Sequence, residues 1–297
     1  MKTFVVYHKA DLDGVFSAAA VMAAKSYGDT VTPVPYQYGE DIPDLDDPTY
    51  GKVFVCDVSF GKGTEWAFRR WAEQGKEVVW IDHHKSAIES IKAPIEVGGV
   101  REVGTAACLL TWKYLGMRNN KILSLLSAYD VWDHDKYNWN DVEAFQFGMR
   151  ARVGLSVGWA YRLLNDYIMS SNKGKSEMID KLMKEGRVII NFESERNKGD
   201  LEMFSFEATV LGKRALCMNT TTFSSKVFEN MWDENEFDVM MPFCWNGETA
   251  RCSLYTTKED VDCSEMAMEL GGGGHKQAAG FQMPLDKFVR FLADKEI

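Results

Sequence analysis

The first third of the chain alternates short apolar, β-branched runs with amphipathic stretches, a pattern typical of repeated strand–helix–strand units and a parallel sheet. The predicted strands are FVVYH (4–8), VTPVPYQY (31–38), KVFVCDVS (52–59) and EVVWIDHH (77–84), with helices predicted at about 14–27 and 64–74. Ligands of open α/β sheets collect at the carboxyl ends of the strands. We therefore expect His8, Asp57 and the Asp-His-His triplet at 82–84 to lie along one rim of the sheet.

The middle of the chain is mainly helical in pattern, and strand patterns return after about residue 205. Helices are predicted at 105–115, 121–130, 159–170 and 175–196. The C-terminal strands include a hairpin that turns at Asn246 and Gly247, followed by a short helix that Asp262 or Ser264 caps and that ends at Gly271. The predicted fold is α/β, with a parallel-sheet domain covered by helices on both faces (1–172), a helical connector (173–204) and a smaller α+β domain (205–297).

The composition is that of an ordinary globular protein. With 297 residues, of which 45% are hydrophobic and 26% charged, the chain can form two packed domains. No apolar stretch approaches the roughly 20 residues of a membrane span, and the N-terminal segment is charged where a secretion signal is apolar, so a cytoplasmic protein without a membrane partner is expected. The six cysteines include no C-x-x-C pair, so the sequence indicates neither a zinc knuckle nor a disulfide framework.

The charge distribution narrows the class of substrate. The net charge is -10, and residues 201–297 carry 9 basic and 16 acidic side chains. Proteins that bind long nucleic acids usually present a basic face, and the sequence shows none. A small or short phosphorylated substrate is therefore expected, and the sequence also leaves room for a homodimer.

The histidines and several aspartates form candidate metal sites. All five histidines, His8, His83, His84, His134 and His275, lie beside acidic or glycine-rich segments at predicted element ends. His8, Asp11 and Asp13 follow a strand and precede a helix, where three short side chains can surround one cation, and Gly14 permits a tight turn. The alternative is a helix cap in which Asp13 accepts backbone hydrogen bonds. Asp57 and Asp82, at two further strand ends, have the same alternative.

These motifs together resemble those of the DHH phosphoesterase superfamily, named for the triplet present here as Asp82, His83 and His84. The first motif of that family matches His8, Asp11, Asp13 and Gly14 with the following Ser17 and Ala18; its second matches Asp57 and its fourth matches Asp130. The segment GGGHKQAAG at 272–280 resembles the signature of the accessory domain called DHHA1. The matching motifs run from residue 8 to residue 280, so the resemblance covers nearly the whole chain.

The resemblance implies a site for two divalent cations. One would be held by His8, Asp11 and Asp57, and the other by Asp13, Asp57, His83 and Asp130. Oxygen-rich ligation with one or two imidazoles suits Mn2+, with Mg2+ as a substitute. Cations about 3.5 to 4 Å apart share a carboxylate, bind phosphoryl oxygens and lower the pKa of a water. Asp57, His83 and His84 are the predicted catalytic residues, with His84 either contacting the substrate phosphate or serving the structure, and Asp82 orienting a histidine.

The glycine run near the C-terminus is a candidate phosphate site. Without Cβ atoms, the backbone amides can approach an anion, so Gly272, Gly273, Gly274 and His275 are predicted to bind substrate. The alternative is a flexible helix stop. Two further segments stay open: Asp133, His134 and Asp135 either support the metal ligands or form a solvated loop, and Arg101 and Thr105 are either substrate contacts or a surface arginine and a helix cap.

The resemblance implies a metal-dependent phosphoesterase that hydrolyses short oligonucleotides or phosphorylated nucleotides, similar to the nanoRNase and nucleotide phosphatase branch of the family. The alternatives are a RecJ-like single-strand exonuclease, a cyclic or linear dinucleotide phosphodiesterase and, from another class, a non-catalytic nucleotide-binding protein. The acidic C-terminal part disfavours the exonuclease. A protein that had lost catalysis would be expected to lose metal-site carboxylates, and all of those named above are present.

Overall fold

The computed structural model describes residues 2–24, 30–60, 63–91 and 97–297. It divides into two compact units, Met1–Ile190 and Asn191–Ile297. The boundary falls inside one long helix, α8 (Asn172–Phe204), and the predicted division into two domains and a connector stays a prediction. No helix in these ranges is both long and apolar enough to cross a membrane.

The first unit contains a four-stranded parallel sheet, as predicted. Its strands are β1 (Lys2–His8), β2 (Thr30–Tyr36), β3 (Tyr50–Cys56) and β4 (Glu77–Ile81), in the order β2-β1-β3-β4. Every neighbouring pair is parallel. The carboxyl ends of all four strands therefore lie at the same edge of the sheet.

Both faces of this sheet are covered by helices. In β1, Val5 and Tyr7 belong to one buried cluster, and Phe4 and Val6 belong to another. The first cluster is completed by α1 (Leu12–Ala24), α4 (Ala107–Tyr114), α5 (Lys121–Asp130), α6 (Trp139–Val153) and α7 (Val157–Met169), and the second by α2 (Glu65–Glu73) and α3 (Lys85–Ser90). Burial on both faces explains why the strands are continuous apolar runs.

Most predicted helices are confirmed, with shifted ends. Helix α5 occupies the predicted residues 121–130, and α8 extends beyond the predicted 175–196 at both ends. The predicted helix at 14–27 is described as far as Ala24, and its last residues lie outside the described ranges. Helices α3 and α6, and the helix Leu285–Asp294 in the second unit, were not predicted.

Helices α6 and α8 cross in backbone contact. A Cβ atom added to Gly148 of α6 would lie 2.0 Å from the carbonyl oxygen of Leu182, and one added to Gly186 of α8 would lie 1.7 Å from that of Ala144. The two helix backbones can approach this closely only because both residues lack a Cβ atom. The crossing fixes α6 in place, and α6 borders the candidate site described below.

The second unit contains the second, C-terminal sheet of the predicted fold. Its order is β5-β6-β7-β8-β10-β9, with strands β5 (Ser205–Val210), β6 (Lys213–Asn219), β7 (Val239–Trp245), β8 (Thr249–Tyr255), β9 (Gly273–His275) and β10 (Ala278–Pro284). All neighbours are antiparallel except β6 and β7. Helices α9 (Cys263–Glu269) and α10 (Leu285–Asp294) pack on one face, and a short 3-10 helix spans Ser225–Phe228.

Two local predictions in this unit are confirmed. The strands β7 and β8 form the expected hairpin, in which Gly247 takes a φ of 103° and Asn246 accepts hydrogen bonds from the amides of Glu248 and Thr249. Of the two possible caps of α9, Asp262 is the one that acts, since it accepts from the amides of residues 264 and 265. Gly271, with a φ of 84°, follows the end of that helix.

Candidate metal centre

The six predicted metal ligands converge at the carboxyl edge of the first sheet. Each lies at the end of a helix or strand: His8 ends β1, Asp57 follows β3, His83 follows β4, Asp11 precedes α1, Asp13 is in its first turn, and Asp130 ends α5. These residues are spread over more than 120 positions of the sequence, and the parallel order of the strands brings them together.

The start of α1 is held against the end of β1 at Gly14. A Cβ on Gly14 would lie 2.0 Å from the carbonyl oxygen of His8, so no other residue fits there without a shift of backbone. The Gly14 amide also donates to Asp11 Oδ1 at 2.9 Å. Glycine is therefore required by this close approach rather than by the tight turn that the sequence suggested, since its φ is not among the positive values.

A first group of ligand atoms surrounds His8. Its Nδ1 lies 2.5 Å from Asp11 Oδ2 and 3.7 Å from Asp57 Oδ2. The neighbouring carboxylates, Asp11 first and then Asp57, raise the pKa of His8 to about 10. In the metal-free protein a proton thus occupies a position that a cation could take.

A second group surrounds His83. Its Nε2 lies 3.5 Å from Asp13 Oδ2, 3.4 Å from Asp57 Oδ1 and 3.3 Å from Asp130 Oδ2. Asp57 therefore turns one carboxylate oxygen towards His8 and the other towards His83. One carboxylate lies between the two groups of ligands.

Asp57 is held in an unusual backbone conformation. Its φ is 59°, in the left-handed region that residues other than glycine rarely adopt. The residue is 1% exposed, and its amide donates to the carbonyl oxygen of Ile81 at 2.9 Å. Strained backbone of this kind persists where the surroundings fix it and is concentrated at functional sites.

Asp13 acts as a helix cap, one of the two alternatives that the sequence left open, while one of its oxygens still faces His83. Its oxygens accept hydrogen bonds from the amides of Ala107 (2.8 Å) and Cys108 (2.6 Å), so it caps α4 rather than its own helix. Because each carboxylate oxygen has a further lone pair, Asp13 can still face His83 and a cation. The cap fixes the orientation of the carboxylate.

Asp82 orients His84. The carboxylate is fully buried, and its Oδ1 accepts from the amides of His83 (2.8 Å) and His84 (3.1 Å) and lies 2.8 Å from His84 Nδ1. This contact raises the pKa of His84 to about 9. His84 is 40% exposed on its side chain, so a cationic ring is presented beside Asp57 with one nitrogen, Nε2, directed away from Asp82.

The donor set fits divalent cations. Burial raises the pKa of Asp57 and of Asp130 to about 7, and raises that of Asp13 well above its usual range. Among the described residues, the carboxylate oxygens Asp57 Oδ2 and Asp130 Oδ2 are buried without a hydrogen-bond partner. Buried acceptors thus exceed donors, and carboxylates with one or two imidazoles are ligands that suit Mn2+ and Mg2+.

We predict that the metal-free protein loses stability as the pH rises from about 4 to about 7. Asp57 and Asp130 have a higher pKa in the folded chain than in the unfolded one, so their contribution is fully present below the unfolded pKa and lost as the pH passes the folded pKa. His8 and His84, also raised, act in the same direction above about pH 6.5. Cation binding offsets the carboxylate repulsion, so the rise in Tm on adding Mn2+ should grow between about pH 5 and about pH 8, as calorimetry can measure. An equal rise at both pH values would contradict the prediction.

The predicted phosphate-binding glycines form the edge of the second sheet. Gly273 to His275 pair with β10, and a Cβ on Gly272 or Gly274 would lie 2.1 Å from Gly280 O or 2.5 Å from Ala279 Cα. Gly272 borders a cavity of about 390 Å³ that Arg251 and Ser253 also line, and the described lining does not include His275. Lys276 pairs with Glu259 at 3.2 Å. Phosphate binding by Gly272, Gly273, Gly274 and His275 stays a prediction.

Two further residues lie near the candidate centre, Arg101 and Tyr38. Arg101 donates hydrogen bonds to the backbone carbonyl oxygens of Gly98 (3.0 Å) and Trp80 (3.3 Å). Its guanidinium therefore has a structural role in the loop after β4. Tyr38 was missed: its ring lies edge-on, 5.4 Å from the ring of His8 and 6.5 Å from that of His84. Its place at the end of a predicted strand was the available signal.

Comparison with known proteins gives one family and several relatives. Residues 2–129 match the model described as DHH family, N-terminal domain. Oligoribonuclease NrnB of Bacillus subtilis (strain 168) is 21% identical over 271 residues, covering 82% of this chain and 62% of that protein. The chain thus aligns with less than two thirds of that curated relative.

Solved structures share the fold. The pGpG-specific phosphodiesterase PggH of Vibrio cholerae gives a TM-score of 0.55 at 14% identity, covering 99% of this chain and 97% of that one. RecJ of Thermus thermophilus in complex with Mg2+ gives 0.50 at 15% identity, covering 99% of this chain and 48% of that one. With the strand order and the matched motifs, these findings identify the architecture. Residues 2–129 of the chain are thus similar to the N-terminal domain of the DHH family.

Proposed function

We propose that the chain is a metal-dependent phosphoesterase that hydrolyses short oligonucleotides or phosphorylated nucleotides, with Mn2+ as its preferred cation and Mg2+ as a substitute. The observation that carries this proposal is the position of Asp57, one buried carboxylate shared between the ligand atoms around His8 and those around His83. A shared carboxylate is what two neighbouring cations require.

The proposed ligands form two sets with one common member. His8, Asp11 and Asp57 would hold one cation; Asp13, His83 and Asp130, with Asp57 beside His83, would hold the other. When bound, such cations bind phosphoryl oxygens and make a water nucleophilic at neutral pH.

The surrounding residues prepare the site for a phosphate. His84, kept cationic by Asp82, can donate from Nε2 to a phosphoryl oxygen and offset charge on the phosphate. The amides of α4 and the close approach at Gly14 hold Asp13 and Asp11 in fixed orientations. Little rearrangement is then needed when substrate binds.

The net charge of the C-terminal part and the similar proteins both support a short substrate. Residues 201–297 are acidic overall, which disfavours binding of long nucleic acids through many phosphates. An oligoribonuclease and a pGpG-specific phosphodiesterase are among the relatives, and both names describe short phosphodiester substrates. We further propose that Gly272, Gly273, Gly274 and His275 bind a second phosphate of the same substrate.

A substrate panel tests the proposed function. With Mn2+ present, we expect 5'-phosphorylated dinucleotides to be hydrolysed with a kcat/KM at least about tenfold above that for long RNA or long single-stranded DNA, because the site offers contacts for few phosphates. Cyclic dinucleotides, adenosine 3',5'-bisphosphate and pyrophosphate complete the panel, and a chelator should abolish every activity. Preference for long single-stranded DNA would instead indicate an exonuclease, and hydrolysis of none of these compounds would refute the proposal.

A further inference from the structure

A cavity of about 400 Å³ opens beside the metal centre, within the first unit. Its lining joins two kinds of residue. One wall carries the carboxylates of Asp11, Asp13 and Asp130, and another carries Trp132, Gln146 and Arg150. The second wall lies on the turn after α5 and on one face of α6. Its residues have no part in the proposed metal binding or in the proposed contact of His84 with phosphate.

Trp132 is an exposed indole on a constrained backbone. It is 64% exposed, and its φ of 54° is in the left-handed region, which is uncommon for a bulky residue. The turn is fixed by hydrogen bonds from the amides of Trp132 to Tyr129 O (3.3 Å) and of Asp133 to Ala128 O (2.9 Å). The backbone strain is thus associated with a large aromatic surface that faces solvent and the cavity.

Other rings support the indole from behind. Trp132 lies 5.2 Å from Trp139 with an angle of 18° between the ring planes, and Trp139 is in turn stacked on Tyr129 (5.7 Å, 6°) and His134 (4.0 Å, 18°). The nearly parallel rings hold the indole in one orientation. A rigid aromatic ring with an exposed surface is the usual platform on which a nucleobase stacks.

Gln146 supplies an unsatisfied hydrogen-bond acceptor. Gln146 is one of the residues that line the cavity. Its Oε1 is buried and accepts no hydrogen bond from the residues that the structure describes. A buried acceptor without a partner is costly, and native proteins usually satisfy it with protein, water or ligand. The amino or imino groups at the edge of a nucleobase are donors of the required kind.

Arg150 supplies an unpaired cation. It lies one turn beyond Gln146 on α6, it is exposed, and within the described ranges it forms no ion pair, although three carboxylates line the same cavity. A guanidinium in this position can pair with a phosphate that enters beside the metal centre. Stacking, an acceptor and a cation are thus arranged in one cavity.

We infer that this cavity is a nucleotide subsite, in which Trp132 stacks on the base, Gln146 accepts a hydrogen bond from the edge of the base and Arg150 pairs with a phosphate. The inference rests on the proposed function and names the part of the substrate that the first unit recognises. It requires a base on the nucleotide next to the scissile phosphate, so substrates that carry phosphates alone should bind poorly here.

Binding of a nucleoside 5'-monophosphate, measured by isothermal titration calorimetry on the Mn2+-loaded protein, tests the inference. Trp132→Ala should weaken binding about tenfold or more, since stacking on one aromatic ring contributes on that scale. Trp132→Phe should keep binding within about threefold of wild type. The matched control is Trp159→Ala, which removes an indole 58% exposed on α7 and outside the described lining of the cavity.

Ribose 5-phosphate separates the base from the phosphate. Trp132→Ala should leave its affinity unchanged, whereas Arg150→Ala should weaken both ligands. Equal affinity of wild type and Trp132→Ala for the nucleotide, or an equal loss for both ligands, would overturn the inference.

The same variants distinguish failure of the subsite from failure of the proposed function. Nucleotide binding that depends on Trp132 in a protein that hydrolyses no phosphodiester would refute the function and support the subsite. Dinucleotide hydrolysis with an unchanged KM in Trp132→Ala would support the proposed function and refute the subsite. If the alanine variant unfolds, Trp132→Leu, which keeps an apolar side chain but no aromatic face, takes its place and should lose affinity for the nucleotide but not for ribose 5-phosphate.

Discussion

Replacement of Asp57 by asparagine is expected to lower kcat/KM for a dinucleotide by about 10²- to 10³-fold or more, the scale on which one group that stabilises the transition state contributes. The physical reason is that Asp57 faces both groups of ligand atoms, so its charge is shared by both proposed cations. Kinetics at saturating Mn2+ measure the effect. The control is Asp180→Asn, which removes an exposed carboxylate from α8 and should leave turnover unchanged.

Asparagine is the informative replacement because it separates charge from backbone strain. Asparagine, like aspartate, tolerates the left-handed φ of 59° found at this position, whereas alanine would add strain. Removing a buried carboxylate whose pKa is raised to about 7 should also make the metal-free variant melt at a higher Tm than metal-free wild type near pH 8. An Asp57→Asn protein that keeps wild-type turnover, or that gains as much Tm from Mn2+ as wild type does, would contradict the assignment.

Gly186→Ala is expected to cause a large loss of stability, although it lies away from the metal-ligand candidates. Its Cβ would lie 1.7 Å from the carbonyl oxygen of Ala144, so α6 and α8 would have to separate. Overpacking of this kind costs about 3 kcal/mol or more when the conflict is with backbone, which corresponds to a Tm lower by about 6 to 12 °C. Thermal unfolding followed by circular dichroism measures the shift.

Gly199→Ala on the same helix is the matched control. No atom lies within 4 Å of the position of its Cβ, so the substitution should stabilise α8 by about 0.5 to 1 kcal/mol through helix propensity. Similar melting temperatures for the two alanine variants would show that the crossing of α6 and α8 is looser than described. Because α6 also carries Gln146 and Arg150, Gly186→Ala should weaken nucleotide binding as well.

The parallel sheet could be predicted because its strands are buried on both faces. FVVYH, VFVC and EVVWI are continuous apolar runs, each followed by a polar residue at the edge of the sheet. Helix α6 could not be recognised in the same way. It contacts other elements on more than one side and includes a buried Glu143 and Gly148, so its sequence lacks a clear polar face.

The residues of the candidate metal centre could be predicted from the sequence as a set, whereas their geometry could not. The order of motifs identified His8, Asp11, Asp13, Asp57 and Asp130, together with His83, but the cap that Asp13 provides to α4 joins positions more than 90 residues apart. Contacts at that separation leave no pattern in a single sequence. The strain at Asp57 is likewise visible only in the backbone.

The proposed nucleotide subsite could not be predicted from the sequence for the same reason. Trp132 and His134 closely follow the motif aspartate at 130, and nothing in their spacing indicates that Trp139 supports them. Gln146 and Arg150 reach the cavity because α6 packs against α5. The glycine run has a different lesson. Its sequence indicated conformational freedom, whereas in the structure Gly272 and Gly274 lie so close to β10 that a Cβ atom would not fit.

Titration of the metal-free protein with Mn2+, followed by electron paramagnetic resonance, tests most directly whether Asp57 joins two cation sites. We predict two bound ions per chain with a spin-coupled signal, and loss of that coupling in Asp57→Asn. Binding of a single ion, or of two ions without coupling, would contradict a shared carboxylate at Asp57.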